Sequence, residues 1–328
     1  MDQQLEQLKD EVTELVGKLG RLKKEIHKSI IGQDHVIDQL LIGMLARGHV
    51  LVEGLPGLAK TMMIKALSKG VNLNFNRIQF TPDLMPTDIL GTEVIEEDEH
   101  GKKSFVYNQG PVFTNVLLAD EINRTPPKTQ AALLEVMQEY KVTYGGKDYP
   151  LEQPFFMLAT QNPLEQSGTF PLPEAQVDRF LLYVLIDYPT ADEELEILRY
   201  TTGTKPSSPE GVLTGAEIIR LQSLVREVFI DDELIKGVNN LVRSTRPTST
   251  SEDIIKEYVS YGAGPRAGQA IIMTAKAHAL INGRYSVTPA DIEAIKLPAL
   301  RHRLLLNFKA ESEHLSTDYI IQELSKNH

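Results

Sequence analysis

HVLVEGLPGLAKT, from His49 to Thr61, is an apolar run that breaks into a Gly-rich turn and resumes with Lys-Thr. An unbroken apolar run suits a strand buried on both faces. The turn, Gly54, Leu55, Pro56, Gly57, Leu58 and Ala59, can aim the backbone N–H groups of its non-proline residues inward. Lys60, Thr61 and Met62 then open a helix whose first turn carries the positive end of its dipole. These are the parts that hold a phosphate chain: N–H groups and dipole meet the anion, Lys60 reaches the β- and γ-phosphates, and the Thr61 hydroxyl binds Mg²⁺. The strict pattern has glycine directly before the lysine. Ala59 stands there instead, which is acceptable if its φ stays negative. Read alone, the same stretch also describes an ordinary structural turn.

Outward from this segment, short β-type runs alternate with helical patterns between His49 and Ile186: HVLVEG, NFNRIQF, VLLADE, FFMLATQ and LLYVLID, with Lys128 to Tyr140 the clearest helix. That alternation predicts an α/β fold, a parallel sheet covered on both faces, with strands apolar along their whole length. Glu93 to Glu96 and Ser104 to Tyr107 flank a polar tip, Glu97 to Gly101, and read as an inserted β-hairpin; a second short hairpin falls around Gly145 and Gly146.

Further candidates for chemistry lie at the ends of these runs. VLLADE closes on two carboxylates about 60 residues after the phosphate loop. Asp120 there can hold a metal's water shell while Glu121 polarises an attacking water. FFMLATQN ends at Asn162, which either orients that water or caps the loop opened by Pro163. Arg179 follows a short helix and is either a catalytic cation or the partner of Asp178 or Glu174. Arg266, just after Gly264-Pro265, sits near a helix N-terminus where a cation opposes the dipole, so it is expected to face an anion.

The flanking regions are helical. Leu5, Leu8, Val12, Leu15, Val16, Leu19, Leu22 and Ile26 form one amphipathic stripe, which either packs on its own domain or binds a partner as a coiled coil. After Pro189 only helices are expected. Thr214 with Glu217 makes a capping box, Thr288-Pro289 opens another helix, Gly283 ends the helix begun near Pro265, and Thr201 to Gly211 reads as a flexible connection.

Composition limits the function. At 328 residues the chain has room for about two domains. With no cysteine it has no disulfide, thiolate metal site or cysteine nucleophile. The longest strongly apolar run, Phe180 to Ile186, falls far short of the roughly 18 residues that span a bilayer, so no membrane insertion and a cytoplasmic location are expected. A formal net charge of −11 makes nucleic acid an unlikely partner.

In sequence order, IIGQ, GLPGLAKT, LLADEINRTPPKTQAALLEVMQE, ATQNPLEQSGTFPLPEAQVDRF and GPRA resemble the MoxR family of AAA+ ATPases over about Ile30 to Arg303. The resemblance implies an AAA+ P-loop NTPase: an N-terminal helix over 1–30, an α/β ATPase core over 31–189 with a β-hairpin insertion in helix 2, and an all-helical lid over 190–328. ATP and Mg²⁺ are the implied cofactors. By the same resemblance Ile31 and Gly32 lie near adenine, Lys60 and Thr61 on phosphate and Mg²⁺, Asp120 and Glu121 form the Walker B pair, and Asn162 is sensor 1. Arg179 is the implied arginine finger given to a neighbouring subunit, and Arg266 sensor 2. The implied activity is ATP hydrolysis by a homo-oligomeric ring, a hexamer, acting as a chaperone-like remodeller of partner proteins, including ones with von Willebrand factor A domains. A slowly cycling nucleotide-gated switch and a DNA-coupled motor are the alternatives. The acidic hairpin tip favours a protein partner over DNA.

Overall fold

The structure, a computed structural model, describes residues 2–55, 57–97, 103–163, 168–203 and 208–325, the side chains of 2–9 and 325 excepted. The helices α1 (Asp2–His27) and α2 (Asp34–Leu45) lead into β1 (Val50–Gly54) and α3 (Lys60–Gly70). Next come β2 (Phe75–Gln79), α4 (Pro86–Leu90), the antiparallel pair β3 (Gly91–Glu97) and β4 (Lys103–Gln109), β5 (Val116–Asp120) and α5 (Pro127–Glu139). A second antiparallel pair, β6 (Lys141–Tyr144) and β7 (Lys147–Pro150), precedes β8 (Phe156–Gln161), α6 (Glu174–Val177) and β9 (Leu182–Ile186). Beyond β9 lie α7 (Ala191–Thr202), α8 (Gly215–Glu227), α9 (Asp232–Ser244), α10 (Asp253–Tyr258), β10 (Val259–Tyr261) and α11 (Pro265–Ile281). The described chain ends with α12 (Pro289–Leu300), β11 (Leu305–Leu306), α13 (Phe308–Ser312) and α14 (Thr317–Ser325).

Five strands form one parallel sheet in the order β2-β5-β8-β1-β9. Val50 lies level with Leu158 on one side and Leu182 on the other. Side chains alternate across the sheet, and the core divides accordingly. Val50, Val52, Leu118 and Leu158 face one apolar cluster that continues into α1 and the lid helices; Leu51, Leu117, Ala119 and Met157 face a second, packed under α5. Because the strands are parallel, β1, β5 and β8 all end at one edge of the sheet, where open α/β sheets bind ligands.

Three expectations change. β2 is not apolar throughout: it is an edge strand, with Arg77 exposed and only Ile78 buried. The region after Pro189 is not helices alone, since β10 and β11 pair antiparallel there. Thr201 and Thr202 belong to α7 rather than to a connection, and residues 204–207 of that stretch lie outside the described residues. The hairpin at Glu93 is present, but its tip, residues 98–102, lies outside them too.

The stripe of α1 packs on the chain itself: Val12, Leu15, Leu19, Leu22 and Ile26 are buried. Leu22 crosses α3 at Gly70, where an added Cβ would come within 2.3 Å of Leu22 Cδ1, so the contact depends on a residue without a side chain. Lys18 reaches Glu217 on α8 at 2.6 Å and Arg220 reaches Glu11 at 2.8 Å, tying α1 to α8.

Inside the lid, Asp291 of α12 accepts from Arg284 at 2.6 Å and from the Thr288 N–H at 2.7 Å, and lies 2.6 Å from His278 Nδ1 on α11. Burial alone would raise the Asp291 pKa, but Arg284, the Thr288 N–H and His278 together hold it well below the usual carboxylate range. This network sets α11, which carries Arg266, against α12. Asp291→Ala leaves Arg284 and Thr288 unanswered and is expected to cost about 3–5 kcal/mol by urea unfolding at pH 7. The carboxylate's folded pKa is depressed, so its contribution is complete above about pH 4 and fades as pH falls toward the folded value. A variant as stable as the wild type at pH 7 would contradict this role.

Candidate nucleotide site

At the end of β1 the chain turns through Gly54 and Leu55, with Pro56 outside the described residues, to Gly57 at φ 86°. A side chain at Gly57 would meet nothing within 4 Å, so the outer surface of this turn is open. Ala59 caps α3 at φ 55°, ψ 19°, which corrects the expectation of a negative φ. The turn must reverse here to point N–H groups inward, and alanine makes that reversal against a local cost of about 1–2 kcal/mol. Lys60 Nζ donates to the Gly54 carbonyl at 2.6 Å and so holds the loop closed on itself. Burial lowers the Lys60 pKa, while Asp120, Glu121 and Glu53 oppose the shift. Thr61, the next residue, is half-buried, and Met62 is exposed on the first turn of α3.

The carboxylate pair lies across the same edge. Asp120 is buried at the end of β5, and its Oδ1 accepts from Thr160 Oγ1 at 2.6 Å. The same Thr160 oxygen accepts the Glu121 N–H at 2.8 Å, so one hydroxyl on β8 fixes both residues. Glu121 itself is left-handed at φ 59°, ψ 49°, which turns its side chain away from the path of the strand. Its Oε2 accepts from Gln79 at 2.7 Å and from Arg124 at 2.9 Å. Arg77 donates to Asp120 Oδ2 through Nε at 3.0 Å and Nη2 at 2.6 Å. Asn162, one residue beyond β8, is buried beside this group of strands.

Sequence reasoning missed Arg77, Gln79, Arg124 and Thr160. Two signals were available. Arg77 and Gln79 stand two apart on a strand, hence on one side of it, and Arg124 follows Glu121 by three. Among the described residues no cluster of three or more His, Asp or Glu side chains forms a metal cage. Thr61 and Asp120 would give Mg²⁺ a hydroxyl and a carboxylate, and phosphate and water would complete its shell, a donor set suited to a hard cation.

Behind the loop lies a cavity of about 360 Å³ lined by Ile31, Gly57, Leu58, Ala59, Met62 and, from the chain beyond β9, Pro189, Ile197 and Tyr200. Its largely apolar walls fit a flat heterocyclic base. Gly32 is not among the lining residues. It sits at φ 64° against Glu193 of α7, where a Cβ would overlap Oε1. Tyr200 closes the far wall by donating to the Lys28 carbonyl.

Arg179 and Arg266 lie elsewhere. They line one cavity with Arg47, His49, Gln138 and Arg303, at the beginning of β1. His49 and Gly54 are separated by five strand steps, roughly 16 Å at about 3.3 Å per residue. Neither arginine therefore reaches its own phosphate loop. Arg179 donates to Gln138 instead of pairing with Asp178 or Glu174. Asp178 is taken by Arg303 at 2.9 Å and Arg266 at 3.4 Å, so the anion Arg266 meets within the chain is Asp178.

A nucleotide-type turn, paired carboxylates and a lid define a P-loop ATPase architecture, and comparison with known proteins agrees. Residues 49–182 match the ATPase family associated with various cellular activities (AAA), and residues 251–324 match the AAA lid domain. "Chaperone MoxR1" of Mycobacterium tuberculosis is 43% identical over 94% of this chain and 81% of its own length. "Protein MoxR" of Paracoccus denitrificans is 30% identical over 85% of this chain and 86% of its own. A crystal structure of a candidate ATPase from Cytophaga hutchinsonii superposes with a TM-score of 0.92 at 41% identity, covering 98% of each chain. The chain belongs to the MoxR family of AAA+ ATPases.

The Thr160 bridge is separately testable. Thr160→Val keeps the shape, leaves the Glu121 N–H without its acceptor, and is expected to lower stability by about 1–3 kcal/mol in urea unfolding. Thr160→Ser, which retains the hydroxyl, should recover most of that loss; equal stability of Thr160→Val and wild type would remove the bridge from the account.

Proposed function

We propose that the protein hydrolyses ATP with Mg²⁺ as a homo-oligomeric ring, a hexamer, and uses the cycle as a chaperone-like remodeller of partner proteins in the cytoplasm. One observation carries the ring: the phosphate loop and the arginine pair occupy opposite ends of β1 in the same chain. A ring puts one subunit's arginines at the next subunit's phosphates, so the site is completed between chains. In that arrangement Lys60, Thr61 and the backbone N–H groups of residues 54–62 other than Pro56, which has none, hold the triphosphate, while Asp120 and Thr61 hold the cation. Bound Mg²⁺ would supply the positive charge that the β- and γ-phosphates need. Glu121 orients and polarises water, Asn162 orients it from just beyond β8, and Arg179, with Arg266 as sensor 2, stabilises charge on the neighbour's γ-phosphate.

A nucleotide-gated switch with slow turnover is the second reading, favoured by one feature. Glu121 is engaged by both Gln79 and Arg124, and Asp120 by Arg77, so the carboxylates must exchange partners before they serve water or metal. For the partner, the β3–β4 hairpin supports protein over DNA. It presents Glu93, Glu96 and Glu97 together with the exposed cross-strand pair Ile95 and Phe105. The name of the M. tuberculosis relative supports the chaperone role. A client bearing a von Willebrand factor A domain rests on the family resemblance.

The test separates binding from turnover. Lys60→Ala should lose tight ATP binding, because it removes a ground-state phosphate contact. Glu121→Gln should bind ATP as the wild type does while turnover falls by about 10² to 10⁴, the usual worth of a general base. Equal loss of binding in both variants would overturn the assignment.

A further inference from the structure

Arg303 lines the cavity of Arg179 and Arg266, yet it has no donor left for a ligand. A guanidinium carries five N–H groups, and the chain itself answers all five. Nε donates to Asp178 Oδ1 at 2.9 Å, and Nη2 to the Asp178 and Phe180 carbonyls at 3.1 and 2.7 Å. Nη1 donates to the Leu181 carbonyl at 3.2 Å and to the Ala299 carbonyl. The side chain is 3% exposed. Its two neighbours extend the clamp: His302 Nε2 donates to the Phe180 carbonyl at 3.1 Å and Arg301 Nη1 to the Tyr183 carbonyl at 3.0 Å. Residues 301–303 follow α12 directly. Asp178 is held from α11 as well, since its other oxygen, Oδ2, meets Arg266 at 3.4 Å.

The stretch clamped in this way is the one that carries Arg179. It runs from α6, a single turn, to β9, a strand at the edge of the sheet. The Arg179 and Phe180 N–H groups make turn bonds to the Gln176 and Val177 carbonyls at 3.2 and 3.1 Å, and the Arg179 side chain is exposed. Backbone rather than side-chain packing therefore sets where Arg179 stands, and Arg303 holds that backbone on both sides of it. We propose that Arg303 is a positioning residue for Arg179: from the end of α12 it fixes the 178–181 backbone so that the Arg179 guanidinium meets the neighbouring subunit's γ-phosphate, and it makes that meeting depend on the lid. The proposal rests on the reading of Arg179 as a cation supplied to the next chain. A misplacement of about 1 Å at a reacting centre can cost about 10²-fold in rate. Lysine cannot take over, because three donors on a point charge do not match a planar fork that answers five acceptors.

The test asks which side of a shared site the substitution damages. In a reference mixture of Lys60→Ala with Arg179→Ala, the first chain supplies the arginine and the second the phosphate loop. Arg303→Lys placed in the Lys60→Ala chain burdens the arginine donor and should lower the recovered ATPase rate by about 10- to 100-fold. Placed in the Arg179→Ala chain it burdens the loop donor alone and should leave the recovered rate at the reference value. Equal losses in the two placements would make Arg303 a general stabiliser of the lid and overturn the proposal, as would full recovery in both. Calorimetry on the single variant should show wild-type ATP affinity with lowered turnover; weakened ATP binding would contradict the assignment. Asp178→Asn, at a partly exposed site, loosens the same clamp without changing the buried guanidinium, and serves where Arg303→Lys does not fold. The same loss on the arginine-donor side is expected from it, whereas freeing Arg266 from Asp178 would by itself raise the rate; no loss there would overturn the proposal. A reference mixture that regains no activity would overturn the shared-site reading beneath it.

Discussion

The length of one buried strand constrains everything else in this molecule. β1 is locked in register between β8 and β9, its side chains shared between two apolar clusters, so it cannot bend or shorten. It therefore holds the phosphate loop and the Arg179–Arg266 cavity a fixed distance apart at opposite edges of the sheet. Neither Arg179 nor Arg266 spans that gap. On the proposed reading the chain carries both halves of a phosphoryl-transfer site and keeps them apart, so that each half is completed by another copy.

A second consequence follows from the parallel arrangement. The strands that deliver Gly54, Asp120 and Thr160 to one edge also deliver Arg77 and Gln79 there from β2, because Gln79 lies level with Asp120. Cations and amides thus stand where the proposed metal and water would sit. Arg77 neutralises Asp120, Arg124 and Gln79 hold Glu121, and Lys60 is folded back onto Gly54. On the proposed reading, Asp120 and Lys60 exchange these contacts for ones to cation and phosphate, and Glu121 releases Gln79 or Arg124 to reach water.

Much of this was legible in residue order. The apolar run, glycine turn and Lys-Thr specify a strand, loop and helix start, and VLLADE places two carboxylates at a strand end. Alternation between strand and helix patterns gives the covered parallel sheet, and both hairpins announce themselves by a polar or Gly-Gly turn between β-type runs. What was not legible depends on partners distant in sequence. Ala59 is left-handed because of the turn it completes, not because alanine prefers it. β2 is mixed in polarity because it lies at the sheet's edge, which only the strand order reveals. The role of Thr160 needs β8 beside β5. The β10–β11 ribbon has three residues in one strand and two in the other, too short for any periodicity to register.

The claim that the site is shared between chains is tested most directly by mixing two inactive variants. Arg179→Ala keeps an intact phosphate loop and lacks the cation that, in GTPases, is worth about 10³ to 10⁵ in rate. Lys60→Ala lacks the loop's lysine and keeps Arg179. When subunits exchange, some interfaces join an intact loop to an intact arginine, and ATPase activity should partly return. No return of activity, in rings shown to be mixed by native mass spectrometry, would contradict a site completed between neighbours and leave Arg179 as a structural partner of Gln138.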